Sequence, residues 1–110
     1  MAPSALWDAR LASSRLLEYE VMNRVNSSEA LARHAPLARA WIDRVALYEM
    51  SPQVLARALR PLPAPLRTLD ALHLATMHFL RAEGLSVTLA SFDKRLVAAA
   101  AVSGFDAEPL

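Results

Sequence analysis

The chain has two glycines, Gly84 and Gly104, and each stands where an apolar helical pattern stops and a short β-prone segment begins. Glycine takes the left-handed conformation that closes a helix, so both are natural terminators. Ahead of Gly84, Leu69, Leu72, Thr76, Phe79 and Leu80 keep helical spacing; Thr68 is placed to cap this helix, and Asp70 lies in its first turn. Behind it, Ser86–Ala90 is too brief for another helix and reads as a strand. Asp93 then caps a helix from Lys94 to about Ser103, and Phe105–Glu108 follows as a short edge strand. Strands alternating with helices in this way argue for an α/β fold with a largely parallel sheet. The same scarcity of glycine excludes GxGxxG and Walker A phosphate loops.

The N-terminal half carries weaker punctuation. Leu6–Leu11 has helical spacing, Leu11–Leu16 reads as a strand around Ser13-Ser14, and Glu18–Val25 returns to a helical pattern. Ser27-Ser28-Glu29 marks a fresh helix start before Ala30–Asp43, where Pro36 should kink or split the helix. Val45–Leu47 fits a third strand, Ser51-Pro52 opens a helix to about Arg60, and Pro61-Leu-Pro-Ala-Pro65 stiffens the connector that follows. A chain of 110 residues, 55% hydrophobic and 21% charged, suits a single globular domain. Its net charge of +1 sets up no overall field for nucleic acid or membrane. Without cysteine there are no disulfides, thiolate metal sites or cysteine nucleophiles. Leu96–Val102, the longest apolar run, is far short of the ~20 residues that span a bilayer, and the first residues lack the pattern of a signal peptide. The expectation is a cytoplasmic protein.

Three carboxylates stand out by position. Asp93 directly follows a strand, and open α/β sheets gather ligands at the C-terminal ends of their strands. Asp70 lies at a helix start between Leu69 and Ala71, and Glu20 follows the first strand beside Tyr19 and Val21. Taken singly, Asp70 and Asp93 also serve as helix caps and Glu20 as a solvated helix charge. Grouped by the fold, they would repel one another unless a hard cation balanced them, and Mg²⁺ or Mn²⁺ takes such oxygen donors.

Leu66-Arg67-Thr68-Leu69-Asp70-Ala71-Leu72-His73-Leu74-Ala75 resembles the signature of PIN-domain ribonucleases, in particular the VapC-type toxins of toxin–antitoxin pairs. Thr88-Leu89-Ala90-Ser91-Phe92-Asp93-Lys94-Arg95-Leu96, with Ala99-Ala100 and Gly104 beyond, resembles the last acidic motif of that family. Ser13-Ser14-Arg15-Leu16 leading to Glu20 resembles its strand–helix segment with a glutamate, although Glu18 lies close by. The likeness runs from about Leu6 to Glu108. It implies a PIN-like three-layer fold, a mostly parallel sheet flanked by helices, over residues 1–110. It also implies a metal-dependent endoribonuclease in which Glu20, Asp70 and Asp93 are catalytic and hold Mg²⁺ or Mn²⁺. The implied partners are an RNA substrate, a cognate antitoxin and a second copy in a homodimer. One departure stands out. The family's first aspartate sits on an N-terminal strand at the centre of the sheet, and no segment here matches it: Ser4-Ala5 is only an echo, with Ala2 at the aspartate position, and Asp8 lies in a helical pattern. The resemblance therefore implies an N-terminally incomplete domain with two unpaired inner strand edges and reduced activity.

The remaining residues are read more plainly. His73 shares a helix face with Asp70 and is expected to pack and hydrogen-bond in the core, while His34 and His78 are expected at the surface. No serine, histidine and acid combination stands out as a triad. Arg67, Lys94 and Arg95 flank the acidic motifs and could hold RNA phosphates, or belong to ordinary surface. Trp7 and Trp41 suit core or dimer contacts. Two alternatives to the nuclease remain: a non-catalytic PIN-like module that binds an antitoxin or another PIN chain, and a small α-helical interaction domain.

Overall fold

The computed structural model describes residues 9–62 and 65–108. The elements run β1 (Leu11–Ser14), α1 (Leu16–Val25), α2 (Glu29–Ala32), α3 (Ala35–Ile42) and β2 (Val45–Tyr48). They continue with α4 (Pro52–Leu59), α5 (Thr68–Ala82), β3 (Thr88–Ala90), α6 (Lys94–Val102) and β4 (Asp106–Glu108). Helices and short parallel strands alternate, as expected for an α/β fold of PIN type. Of the helical pattern at Leu6–Leu11, Leu11 opens a strand instead and residues 6–8 lie outside the described residues, as do Trp7 and Asp8.

The sheet is in two halves. β1 pairs in parallel with β2, Leu11 opposite Val45 through Ser14 opposite Tyr48. β3 pairs in parallel with β4, Thr88 opposite Asp106 through Ala90 opposite Glu108. Parallel neighbours need a crossover, and the helices supply it: α1 to α3 between β1 and β2, α6 between β3 and β4. Among the described residues no strand joins β1 to β3.

Helix ends follow the sequence closely. Ser51 caps α4 by accepting from the Val54 amide, with Pro52 in the first turn. Ser28 caps α2 through the Leu31 amide. Pro36 splits the expected Ala30–Asp43 helix, because its ring occupies the first turn of a separate α3. Thr68 does not cap α5: Arg67 holds that position without a side-chain cap, and Thr68 is already helical. Gly84 and Gly104 have φ of +90° and +86°. Around them Leu85 N–H donates to the Leu80 carbonyl at 3.0 Å and Phe105 N–H to the Ala100 carbonyl at 2.9 Å. Gly84 N–H donates to Arg81 and Gly104 N–H to Ala101, both at 3.0 Å. These paired bonds form a Schellman motif at each helix end, which requires the left-handed residue glycine supplies.

The core sits under the second half-sheet. Leu74 of α5 is fully buried with Leu96, Ala99 and Ala100 of α6 and with Phe105, and Leu62, Leu66, Met77, Val87 and Leu89 pack around them. Ala99 and Ala100 have no bulk beyond Cβ, which lets α6 approach α5 closely. α4 packs along α5 and buries Val54 completely. Truncating Leu74 would cost about 2–5 kcal/mol, the range for a leucine cut to alanine in a core. α5 packs against α4, α6 and β1 and so positions the site described next.

Candidate active-site cleft

Between the two half-sheets lies a cavity of about 700 Å³. All of β1 and all of β3 line it, and α5 contributes Asp70, His73, Thr76, Met77 and Leu80. Asp70 and His73 are three residues apart on α5 and so share a face, while Glu20 reaches the same cavity from α1. Two of the three carboxylates expected from sequence, Glu20 and Asp70, therefore line the same cavity.

His73 is the centre of a short polar chain. Its Nε2 lies 2.5 Å from Glu20 Oε1 and its Nδ1 lies 2.9 Å from Ser14 Oγ. A carboxylate only accepts, so Nε2 carries the proton and donates to Glu20; Nδ1 then accepts from the Ser14 hydroxyl. The expected role of His73, hydrogen-bonded within the protein, agrees with this geometry. The sequence pointed to no serine–histidine–acid set, yet Ser14, His73 and Glu20 form one. Ser14 is only 1% exposed, and its hydroxyl is engaged with His73 Nδ1. The chain's physical effect is to fix the Glu20 carboxylate at the cleft. Ser14 was visible in the sequence as part of the first strand, but its partner 59 positions away was not.

Glu18 and Glu20 are separated by their partners. Glu18 pairs with Arg39 at 2.5 Å and with Arg15 at 3.4 Å, and the Arg39 hydrogen bond holds its carboxyl below the usual range. Arg15 also bonds Glu49. Glu18 is thus engaged away from the cleft that Glu20 lines.

Asp93 is placed differently. Its Oδ1 accepts from the Arg95 and Leu96 amides at 2.9 and 3.1 Å, capping α6. Ser91 and Leu96 on either side line the cleft, but Asp93 does not. Among the described residues no three histidines or acids come together as a metal cluster. Glu20 and Asp70 offer oxygen donors of the kind Mg²⁺ takes, and both line the cavity without belonging to such a cluster. Arg67, Lys94 and Arg95 are exposed beside Asp70 and Asp93.

His34 is exposed, as expected. His78 is only partly at the surface: it is half-buried, with its ring edge-on to Phe105 at 5.2 Å. Trp41 is exposed at 36%, with the Arg44 guanidinium 5.3 Å from its ring.

No curated protein and no solved structure matches the chain. The description of one family, PIN domain, matches residues 3–102, and with nearly the whole sequence covered the chain belongs to the PIN domain family.

Proposed function

We propose that this protein is a metal-dependent endoribonuclease, the toxin of a toxin–antitoxin pair, acting in the cytoplasm on RNA phosphodiester bonds. PIN domains are generally nuclease modules. The observation that carries the reading is the convergence of Glu20 and Asp70, from separate helices, on a single cleft within a chain of that family. Glu20 and Asp70 would hold Mg²⁺ or Mn²⁺. Asp93, whose Oδ2 makes no cap bond, is the proposed third acid. The bound ion supplies a polarised water and charge stabilisation for the leaving oxygen. His73 orients Glu20 through Nε2 and is in turn held by Ser14.

The test is calorimetric titration with Mn²⁺. Asp70→Asn should weaken binding, since it removes one of the anionic donors; unchanged affinity would remove Asp70 from the site. For partners, the expected assembly is a homodimer held inactive by an antitoxin whose tail lies over the acids. An arginine from that tail would pair bidentately with Asp70 or Asp93. Co-expression with the neighbouring gene should raise the soluble yield. A monomer indifferent to that neighbour would count against the toxin reading.

A second reading has its own support. Asp93 caps its own helix and the acids do not form a three-member cluster among the described residues. That arrangement suits a non-catalytic PIN module that binds an antitoxin or another PIN chain. Antitoxin binding that leaves Mn²⁺ without any measurable site would favour it.

A further inference from the structure

A second cavity, of about 550 Å³, lies where α4 crosses the C-terminal half of α5. Arg57 and Arg60, His78 and Arg81 line it, with Gln53 and the single acid Glu83. Arg81 is pinned: its Nη1 donates to the Ser103 carbonyl at 2.7 Å and its guanidinium lies 4.0 Å from the centre of the Phe105 ring. Its Nη2 is 3.2 Å from His78 Nδ1, while Arg57 Nη2 is 3.4 Å from His78 Nε2. A neutral imidazole accepts at only one nitrogen. One of these two contacts therefore sets donor against donor.

The remaining groups are also short of acceptors. Arg57 Nη1 is buried without a hydrogen-bond partner. Among the described residues no carboxylate forms an ion pair with Arg57, Arg60 or Arg81. Burial, with Arg60 and Arg81 nearby, pushes the Arg57 guanidinium down, and burial followed by the charges of Arg57, Arg81 and Arg60 pushes the His78 pKa down to about 4. Three converging cations, a buried unused donor and a neutral histidine wedged between them describe a site that lacks an anion.

We propose that the Arg57–Arg60–Arg81 cavity binds a phosphate oxyanion. Phosphate is favoured over a carboxylate because its oxygens point in several directions, matching guanidinium forks that arrive from two helices. Bound there, it would accept from Arg57 Nη1 and neutralise the cluster. The phosphate can come from solution or from an RNA backbone. The RNA source rests on the nuclease reading, and α5 supports it by joining the cavity to the cleft: Asp70 and Arg81 are about 16 Å apart along the helix axis. An RNA strand lying over α5 could then touch both.

Inorganic phosphate is the probe, titrated against chloride at constant ionic strength, with the ring resonances of His78 read by NMR. The expected result is a saturable change, a rise in the His78 pKa, and binding weakened by about tenfold or more in Arg57→Gln, the loss of one charge-assisted hydrogen bond. Arg60→Gln, farther from the core, should weaken binding in the same direction. An equal response to chloride, no saturable response, or unchanged binding in both variants overturns the site. A short single-stranded RNA added in EDTA, so that no cleavage enters, should compete with phosphate. Failure to compete overturns the RNA source and leaves a site for free phosphate. Because no arm reads cleavage, failure of the nuclease reading is distinguishable from failure of this one.

Discussion

At His73 two hydrogen bonds decide where one carboxylate points. Replacing it with alanine removes the donor to Glu20 and the acceptor for Ser14, whose buried hydroxyl would then lose its partner. The expected cost is about 1–3 kcal/mol of stability, measured by denaturant unfolding, from the group left unsatisfied. Mn²⁺ affinity should also fall, because Glu20 is no longer oriented; second-sphere partners of metal ligands typically matter by about 10–100-fold. His78 gives a pH prediction. Its folded pKa of about 4 lies below the ordinary histidine value of 6.5, so the unfolded chain takes up the proton first. Stability contributed by keeping it neutral is present above about 6.5 and is lost as pH falls toward 4. Unfolding midpoints followed between those values should drop, and His78→Phe should flatten the slope. At this scale the sequence was legible where one residue sufficed. Asp93 caps its helix as its position predicts, whereas Ser14, His73 and Glu20 meet only through folding, and the contact of His78 with Phe105 is likewise a tertiary fact.

The elements owe their ends to local chemistry. Both Schellman motifs depend on a left-handed glycine, and a Cβ at Gly104 would meet only Arg81 Nη1 at an ordinary 3.5 Å. Gly104→Ala should therefore destabilise the protein through backbone strain alone, by about 1–2 kcal/mol in thermal or denaturant unfolding. An unchanged midpoint would mean that the turn after α6 relaxes freely. Gly84, Gly104, Ser28, Ser51 and Pro36 could all be read from sequence because each acts through bonds within a few positions. Strand limits could not: β1 ends at Ser14 rather than Leu16, and β3 starts at Thr88 rather than Ser86, where pairing with β2 and β4 sets the boundary.

Across the whole molecule the dominant feature is the cleft between β1 and β3. Among the described residues each strand is paired on one side only, with β2 or β4, and its residues line the cleft. Unpaired inner edges leave backbone donors and acceptors without ladder partners and favour association through them. Hydrogen exchange should therefore show the β1 and β3 amides that face away from β2 and β4 less protected than those within the two ladders; equal protection would show that the cleft edges are paired.

The central claim is metal-dependent RNA cleavage at the cleft that Glu20 and Asp70 share. The direct measurement is cleavage of a mixed RNA substrate by the protein, with and without EDTA, beside its Asp70→Asn variant. The account predicts cleavage that EDTA stops and that Asp70→Asn lowers by a hundredfold or more, on the order expected when a metal-holding acid loses its charge. Cleavage that persists in EDTA, or that Asp70→Asn leaves unchanged, would contradict it.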